Sequence, residues 1–200
     1  MIVLEVKEIK DKLKEVLTKK RYEHTLGVAY TAMCMAMAHD ADIDKANIAG
    51  LLHDNAKCMS DEKLLQKCKK HGLMITDIEK THPYLLHAKL GAFYAEYKYG
   101  IDDEEIKNAI LYHTTGKPDM TMLEKIIYIA DYIEPSRNKA LNLKEIRKLA
   151  FTDIDECVYK ISKDTIEYLQ KDSDSIDMTT VETYRYYDEL ICNRRNYDGC

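Results

Sequence analysis

Seven histidines stand in this chain, and four of them fall where a helix would turn them inward. His24 shares a helical side with Val28, Thr31 and Met35, and His53 follows Ala46, Ala49 and Gly50. His87 lies with Tyr84, Gly91 and Tyr94, and His113 with Ile106, Ala109 and Ile110. Asp131 is the single polar break in Ile126-Ile127-Tyr128-Ile129-Ala130-Asp131-Tyr132-Ile133, a stretch apolar on nearly every side, so its carboxylate is expected to be buried. A carboxylate buried alone is expensive or neutralises, so Asp131 requires a cation or hydrogen-bond donors beside it. Imidazoles and carboxylates turned into one interior are the donor set of a borderline metal such as iron, manganese or zinc, with positions left for water and substrate.

The dipeptide His-Asp occurs twice, and its context separates the two copies. His39-Asp40 runs into Ala41-Asp42-Ile43-Asp44, where a histidine suits a helix C-terminus and the acids suit water. His53-Asp54 closes Ile48-Ala49-Gly50-Leu51-Leu52, whose small residues would let another helix approach the histidine's side. Consecutive helical residues point about 100° apart, so one ion can take both only at the helix flank. His24 and Asp131 are the natural completers of that shell. Chance placement of so many polar groups on apolar faces would leave unpaired buried atoms, which native cores avoid.

The elements that must position these residues read as serial helices. Gly and Pro are scarce (7 and 3 in 200 residues) and charged residues make up 32%, a balance suited to amphipathic helices in a single all-α domain spanning 1–200. Capping signals recur at Thr76…Glu79, Asp102…Glu105, Thr121…Glu124, Asn142…Glu145 and Thr179…Glu182, and Ser60-Asp61-Glu62 opens another helix. The pattern predicts helices over Leu4 to Lys19, Tyr22 to His39, Asp44 to Asn55, Asp61 to His71, Tyr84 to Tyr99, Asp103 to Thr115, Met122 to Glu134, Leu143 to Ala150, Asp153 to Lys171 and Thr180 to Arg195. Loops fall at Gly100, Pro118 and Pro135. Met33, Met35 and Met37 are expected to fill core gaps, and Tyr184, Tyr186 and Tyr187 to pack.

Bulk charge excludes some partners. A net charge of −5 argues against broad nucleic-acid binding, and no apolar run reaches spanning length. The opening residues acquire charge too early for a signal peptide, so a cytoplasmic protein is expected, monomeric or homodimeric. The six cysteines, Cys34, Cys58, Cys68, Cys157, Cys192 and Cys200, form no Cys-x-x-Cys pair and read as free thiols.

The order His24, His53-Asp54, Asp131 resembles the H…HD…D signature of the HD phosphohydrolase superfamily, an all-helical bundle in which those residues hold the metal. More narrowly, Arg21-Tyr22-Glu23-His24-Thr25-Leu26-Gly27-Val28, Gly50 to Lys57, Leu86-His87-Ala88, Tyr112-His113-Thr114-Thr115-Gly116 and Ala130-Asp131-Tyr132-Ile133-Glu134-Pro135-Ser136-Arg137 resemble the YqeK family of bacterial symmetrical bis(5'-nucleosyl)-tetraphosphatases. The resemblance implies diadenosine tetraphosphate as substrate, two ADP molecules as product and iron as the metal, with manganese or another divalent ion as alternatives. It also implies phosphate contact at His87, His113 and Thr114. Lys57 follows the His-Asp pair by a turn and Arg137 follows Asp131 in a loop, so both could cradle the polyphosphate. His87 and His113 could instead ligate a second metal bridged by Asp54. The segment Asp174 to Thr180 has a counterpart near the nucleotide in similar proteins, which makes Thr179 a candidate contact, although a helix cap explains a threonine there equally well. The chain departs from the family's habit at Lys89, where similar proteins tend to have proline. The same metal residues would serve an HD phosphatase of nucleoside mono- or triphosphates, and a helical nucleotide sensor without turnover would also keep them.

Overall fold

The computed structural model describes residues 5–138, 140, 142–172 and 176–198. Leu4, Asp174, Ser175 and Cys200, which figure in the expectations above, lie outside them. Among the described residues the chain is helical throughout, with no strand. In chain order the helices are α1 (Val6–Val16), α2 (Lys19–Ala38), α3 (Ile43–Leu52), α4 (Asp61–Lys70), α5 (Asp77–Thr81), α6 (Leu86–Tyr99), α7 (Glu104–Tyr112), α8 (Met122–Ile133), α9 (Leu143–Leu149), α10 (Ile154–Asp172) and α11 (Met178–Asp198).

Local capping chemistry sets most of the helix starts. Thr18, Asp42, Ser60 and Thr121 each accept a backbone N–H from the third residue of their helix, and Thr76 and Thr121 form full capping boxes with Glu79 and Glu124. The Thr76 box opens α5, a five-residue helix absent from the expected set because so short a segment shows no apolar period. Two caps shift. Asp103 rather than Asp102 accepts the N–H groups of Glu105 and Ile106, and Thr179 donates its own backbone N–H to Asp177 at 2.8 Å, placing Thr179 inside α11 rather than at its cap. Pro83 to Leu85 form a separate 3-10 turn before α6, since proline opens a turn readily but the expected start at Tyr84 falls within it.

α8 is the axis of the bundle, touching α2, α3, α7, α9 and α10, and α2 lies along α3 over its length. That pairing is close because Gly50 faces the backbone of Ala29: a Cβ at Gly50 would stand 2.7 Å from the Ala29 Cα. The main core joins α1, α2, α3, α7 and α8 to α10 and α11, and a smaller one of Ala56, Leu64, Cys68, Leu86, Leu90 and Tyr94 lies beneath α4 and α6. Met35 is fully buried, whereas Met37 points to solvent, one residue being enough to leave a helix's apolar stripe. Tyr187 is buried and its hydroxyl accepts the Met120 N–H at 3.1 Å, so that tyrosine packs as expected. The described cysteines are free.

Candidate metal centre

Five helices deliver the predicted residues to one place, four of them at or near an end. His53 is the cap that ends α3, His113 the cap that ends α7, and Asp54 sits in the turn beyond α3. The expected helices over Asp44 to Asn55 and Asp103 to Thr115 therefore overrun: their last residues leave the ladder so that these side chains can face inward together. His24 comes from the first turns of α2, His87 from the start of α6 and Asp131 from the end of α8.

One hydrogen-bond pattern orients all four imidazoles. Nδ1 of His53 faces the Gly50 carbonyl at 2.7 Å, Nδ1 of His113 the Ile110 carbonyl at 2.7 Å, and Nδ1 of His87 the Tyr84 carbonyl at 2.5 Å, each three residues back along the chain. Nδ1 of His24 faces the Glu134 carboxylate at 3.0 Å. Since a carbonyl or carboxylate only accepts, each Nδ1 carries a proton, and in the neutral ring Nε2 is then the nitrogen with the bare lone pair. These Nε2 atoms converge on two carboxylates. Nε2 of His24 lies 3.0 Å from Asp131 Oδ1 and 3.8 Å from Asp54 Oδ2, and Nε2 of His53 lies 3.4 Å from Asp54 Oδ2 and 3.9 Å from Asp131 Oδ1. On the other side of Asp54, Oδ1 has Nε2 of His87 at 3.3 Å and of His113 at 3.6 Å.

An assembly of acceptors is unstable without positive charge among them. His24 Nε2, His53 Nε2 and Asp54 Oδ1 are buried without a hydrogen-bond partner, and these are atoms that a cation would take. The 3.2 Å approach of His87 Nε2 to His113 Nε2 is likewise a meeting of two lone pairs. Burial pushes the His87 imidazole down to about 4 despite Asp54 beside it, which keeps that ring neutral near pH 7. Burial acts to raise the Asp54 and Asp131 carboxyls, and they fall below the usual carboxylate range where positive charge stands on the facing side, on protonated rings of His53, His113 and His87 around the one and of His24 and His53 around the other, or on a cation that replaces those protons. The donor set thus fits a cation: His24, His53 and Asp131 bring ligand atoms within 4.8 Å of one another, as do His53, Asp54 and His113.

Asp131 is only partly buried, where full burial is expected. About a quarter of its side chain (24%) reaches solvent, because it stands at the mouth of a cavity of about 590 Å³ lined also by Arg21, His24, His113 and Thr114. Arg137 lines the same cavity and holds Asp131 through its carboxylate (2.5 Å) and its backbone carbonyl (2.8 Å). Lys57 lies 3.2 Å from His87 Nε2, and burial lowers its ammonium's pKa. Thr114 Oγ1 is 3.2 Å from His113 Nε2 and 3.3 Å from His87 Nε2. Thr179 is separate from this group: it lines a smaller cavity of about 200 Å³ that meets the first at Thr114. Lys89, in the first turn of α6, donates to Glu79 and to the Met74 carbonyl, both at 2.7 Å, so the missing proline leaves the helix start intact.

Two residues escaped the sequence reading of roles. Glu134 is buried, orients His24, and is itself held by Ser136; Arg21 places Nη1 2.7 Å from Asp54 Oδ2. Their spacing was the available signal, since Glu134 is three residues after Asp131 and Arg21 three before His24, each on the ligand's own helical face.

Helices that close on histidines and aspartates in this order match the HD domain family model over residues 21–136, more than half of the chain, and the chain belongs to that family. Its relatives narrow the branch. Over 174 residues it is 40% identical to the symmetrical bis(5'-nucleosyl)-tetraphosphatase of Bacillus subtilis (strain 168), covering 87% of this chain and 92% of that one. The protein of the same name from Staphylococcus aureus is 38% identical over 186 residues, 92% of this chain and 95% of its own. Among solved structures, a predicted HD superfamily hydrolase involved in NAD metabolism from Clostridium acetobutylicum superposes with a TM-score of 0.91 at 39% identity, covering 94% of this chain and 100% of that one.

Proposed function

We propose that this chain is a symmetrical bis(5'-nucleosyl)-tetraphosphatase that splits diadenosine tetraphosphate with water into two ADP molecules. The observation that carries the reading is the convergence of inward-turned imidazole nitrogens on Asp54 and Asp131, beside a cavity lined by Arg21 and Arg137, in a chain 40% identical to a protein of that name.

His24, His53, Asp54 and Asp131 would hold the metal, with iron or manganese the best match to two imidazoles and two carboxylates. When bound, that ion supplies Lewis acidity toward a phosphoryl oxygen and makes water nucleophilic near neutral pH. Arg21 and Arg137 face the same cavity and offer planar guanidinium forks to phosphate oxygens, and Thr114 offers a hydroxyl donor. Lys57 adds a positive charge beside His87. His87, which burial keeps neutral, and His113 both turn Nε2 inward and can accept a proton there or hold a second cation with Asp54 Oδ1; a bound-metal ratio of one or two per chain separates these roles. Thr179 would touch the substrate from the smaller cavity. The cytoplasm is the fitting compartment for such a substrate, and among the described residues no helix is long and apolar enough to cross a membrane.

Product analysis tests the reading. Metal-loaded protein incubated with diadenosine tetraphosphate should yield ADP as the sole nucleotide. Equal amounts of ATP and AMP would overturn the symmetrical cleavage, and release of phosphate from nucleoside monophosphates with the tetraphosphate left intact would return the chain to the general HD phosphatases.

A further inference from the structure

Glu134, which faces His24, and Arg137, which faces Asp131, both lie in the segment where the chain leaves α8. Pro135 has no N–H and ends the helix there, and the last carbonyls of a helix have no partner within it. The segment bonds partly to itself, since Arg137 donates its backbone N–H to the Glu134 carbonyl at 2.9 Å. A single side chain from another helix does the rest. Arg147, on α9, donates Nε to the Ile133 carbonyl at 2.9 Å, and Nη2 to the carbonyls of Glu134 at 3.1 Å and of Arg137 at 2.9 Å.

These bonds fix the backbone from Ile133 to Arg137 as a unit, because the donors of a guanidinium are set in one plane and cannot turn independently. The positive charge also stands at the negative end of the α8 dipole. The clamp has a firm base: Leu143 and Ile146 of α9 are buried, and Glu145 pairs with Lys160 of α10 at 2.9 Å. Among the described residues the cavity wall includes Glu134 and Arg137 but not Arg147, so Arg147 reaches the centre only through the backbone it holds.

We propose that Arg147 is a positioning residue: it fixes the Arg137 backbone so that the Arg137 guanidinium is kept on Asp131 and at the cavity. Its effect on the reaction rests on the tetraphosphatase reading, to which it adds a residue outside the cavity wall.

Arg147→Met keeps the reach of the side chain and removes every donor, Arg147→Lys keeps the charge without the planar fork, and Lys148→Met removes an exposed charge from the same helix. With the helical circular dichroism retained, Arg147→Met should lower kcat/KM for diadenosine tetraphosphate by about tenfold to 10²-fold, the loss that a misplacement of roughly 1 Å can cause from a distance. Arg147→Lys should recover part of that loss, and Lys148→Met should match wild type. A double-mutant cycle separates positioning from general stability: adding Arg147→Met to Arg137→Ala should cost no more than about twofold further, because the two changes strike one device. Losses that multiply in the double variant, or wild-type kcat/KM in Arg147→Met, overturn the role. Should Arg147→Met not fold, Arg147→Lys carries the same cycle. Amide hydrogen exchange on the metal-free protein gives a readout apart from activity. Exchange should quicken in the peptide from Glu134 to Arg137 of the Arg147 variants and stay at the wild-type rate in α2 and α3, and an unchanged loop overturns the clamp. Wild-type protein that leaves the tetraphosphate intact overturns the tetraphosphatase reading, while the exchange comparison still decides whether Arg147 holds the loop.

Discussion

The two His-Asp pairs of this chain occupy nearly the same local position, and only one joins the cluster of histidines and aspartates proposed to hold a metal. His39 is the C-cap of α2 and His53 the C-cap of α3, with an aspartate next in each case. His39 spends its Nε2 on the Ala150 carbonyl at 2.7 Å, tying the end of α2 to α9, and Asp40 turns to solvent with φ of 52°. His53 ties its Nδ1 back to its own helix through Gly50, which leaves Nε2 free to face Asp54 and Asp131. What separates a structural histidine from a metal-ready one is thus the choice of ring nitrogen consumed by the backbone, not the dipeptide.

The strongest way to break that contrast is to exchange the aspartates' fates. Asp54→Ala or Asp131→Ala should cut hydrolysis of diadenosine tetraphosphate by about 10²–10³-fold or more, the scale of losing one preorganised charge-stabilising group, and should lower bound metal measured by elemental analysis. Asp40→Ala and His39→Ala should leave kcat unchanged, His39→Ala costing about 1 kcal/mol of stability for its lost hydrogen bond. Comparable losses of activity at residues 39, 40, 54 and 131 would show that the two pairs do not differ in function.

A finer break lies in what orients the ring. Glu134→Gln keeps the shape beside His24 but gives up the carboxylate that fixes its Nδ1 proton. An outer partner of a metal-ligating histidine is worth about 10–100-fold in metal affinity or activity, so a titration with manganese should show weaker binding in that range. Unchanged affinity would remove Glu134 from the centre and leave Ser136 and Arg137 as its only partners of consequence.

These two contrasts also mark what was legible in the residues alone. Helical phase placed His24, His53, His87 and His113 inward, and all four are buried, because phase is a property of a single helix. It could not reveal that His53 and His113 act from caps, nor that Asp131 stands at a cavity mouth, because those depend on where helix ends meet one another. The apolar run around Asp131 suggested burial for a group that the fold uses at the rim. Capping signals are local, so Thr76 and Thr121 were readable; α5 was overlooked for lack of length, Arg21 because its neighbours Lys19, Lys20 and Glu23 are charged, and Glu134 because it falls just past the end of the apolar run.

Packing offers the next test, of the α2 and α3 approach that puts His24 beside His53. Gly50→Ala would push a Cβ against the Ala29 backbone, which cannot move aside as a side chain could. Overpacking of this kind costs about 1–3 kcal/mol, and at roughly 2–4 °C per kcal/mol for a chain of this size the melting temperature should fall by several degrees. A melting temperature equal to wild type would mean that the two helices separate at little cost, and that their spacing does not define the centre.

The smallest effect concerns an acid whose positive partners are side chains rather than a metal. Asp155 lies 2.7 Å from Lys125 Nζ and is paired also with Arg194, and although burial acts to raise its pKa, those two cations bring it below the ordinary carboxylate value. A carboxyl with a lowered folded-state pKa contributes stability that is present above the unfolded value, about 3.9, and lost as pH falls through the folded one. Asp155→Asn should therefore be less stable than wild type by up to about 1 kcal/mol at pH 7, as befits a partly exposed pair, with the gap in urea midpoint closing as pH drops below 4. The destabilisation belongs to the ion pairs and should not respond to added manganese, whereas that of Asp54→Ala should. A gap at Asp155 that widens on acidification would mean that its charge opposes folding, and its likeness to the metal-centre acids would end at burial.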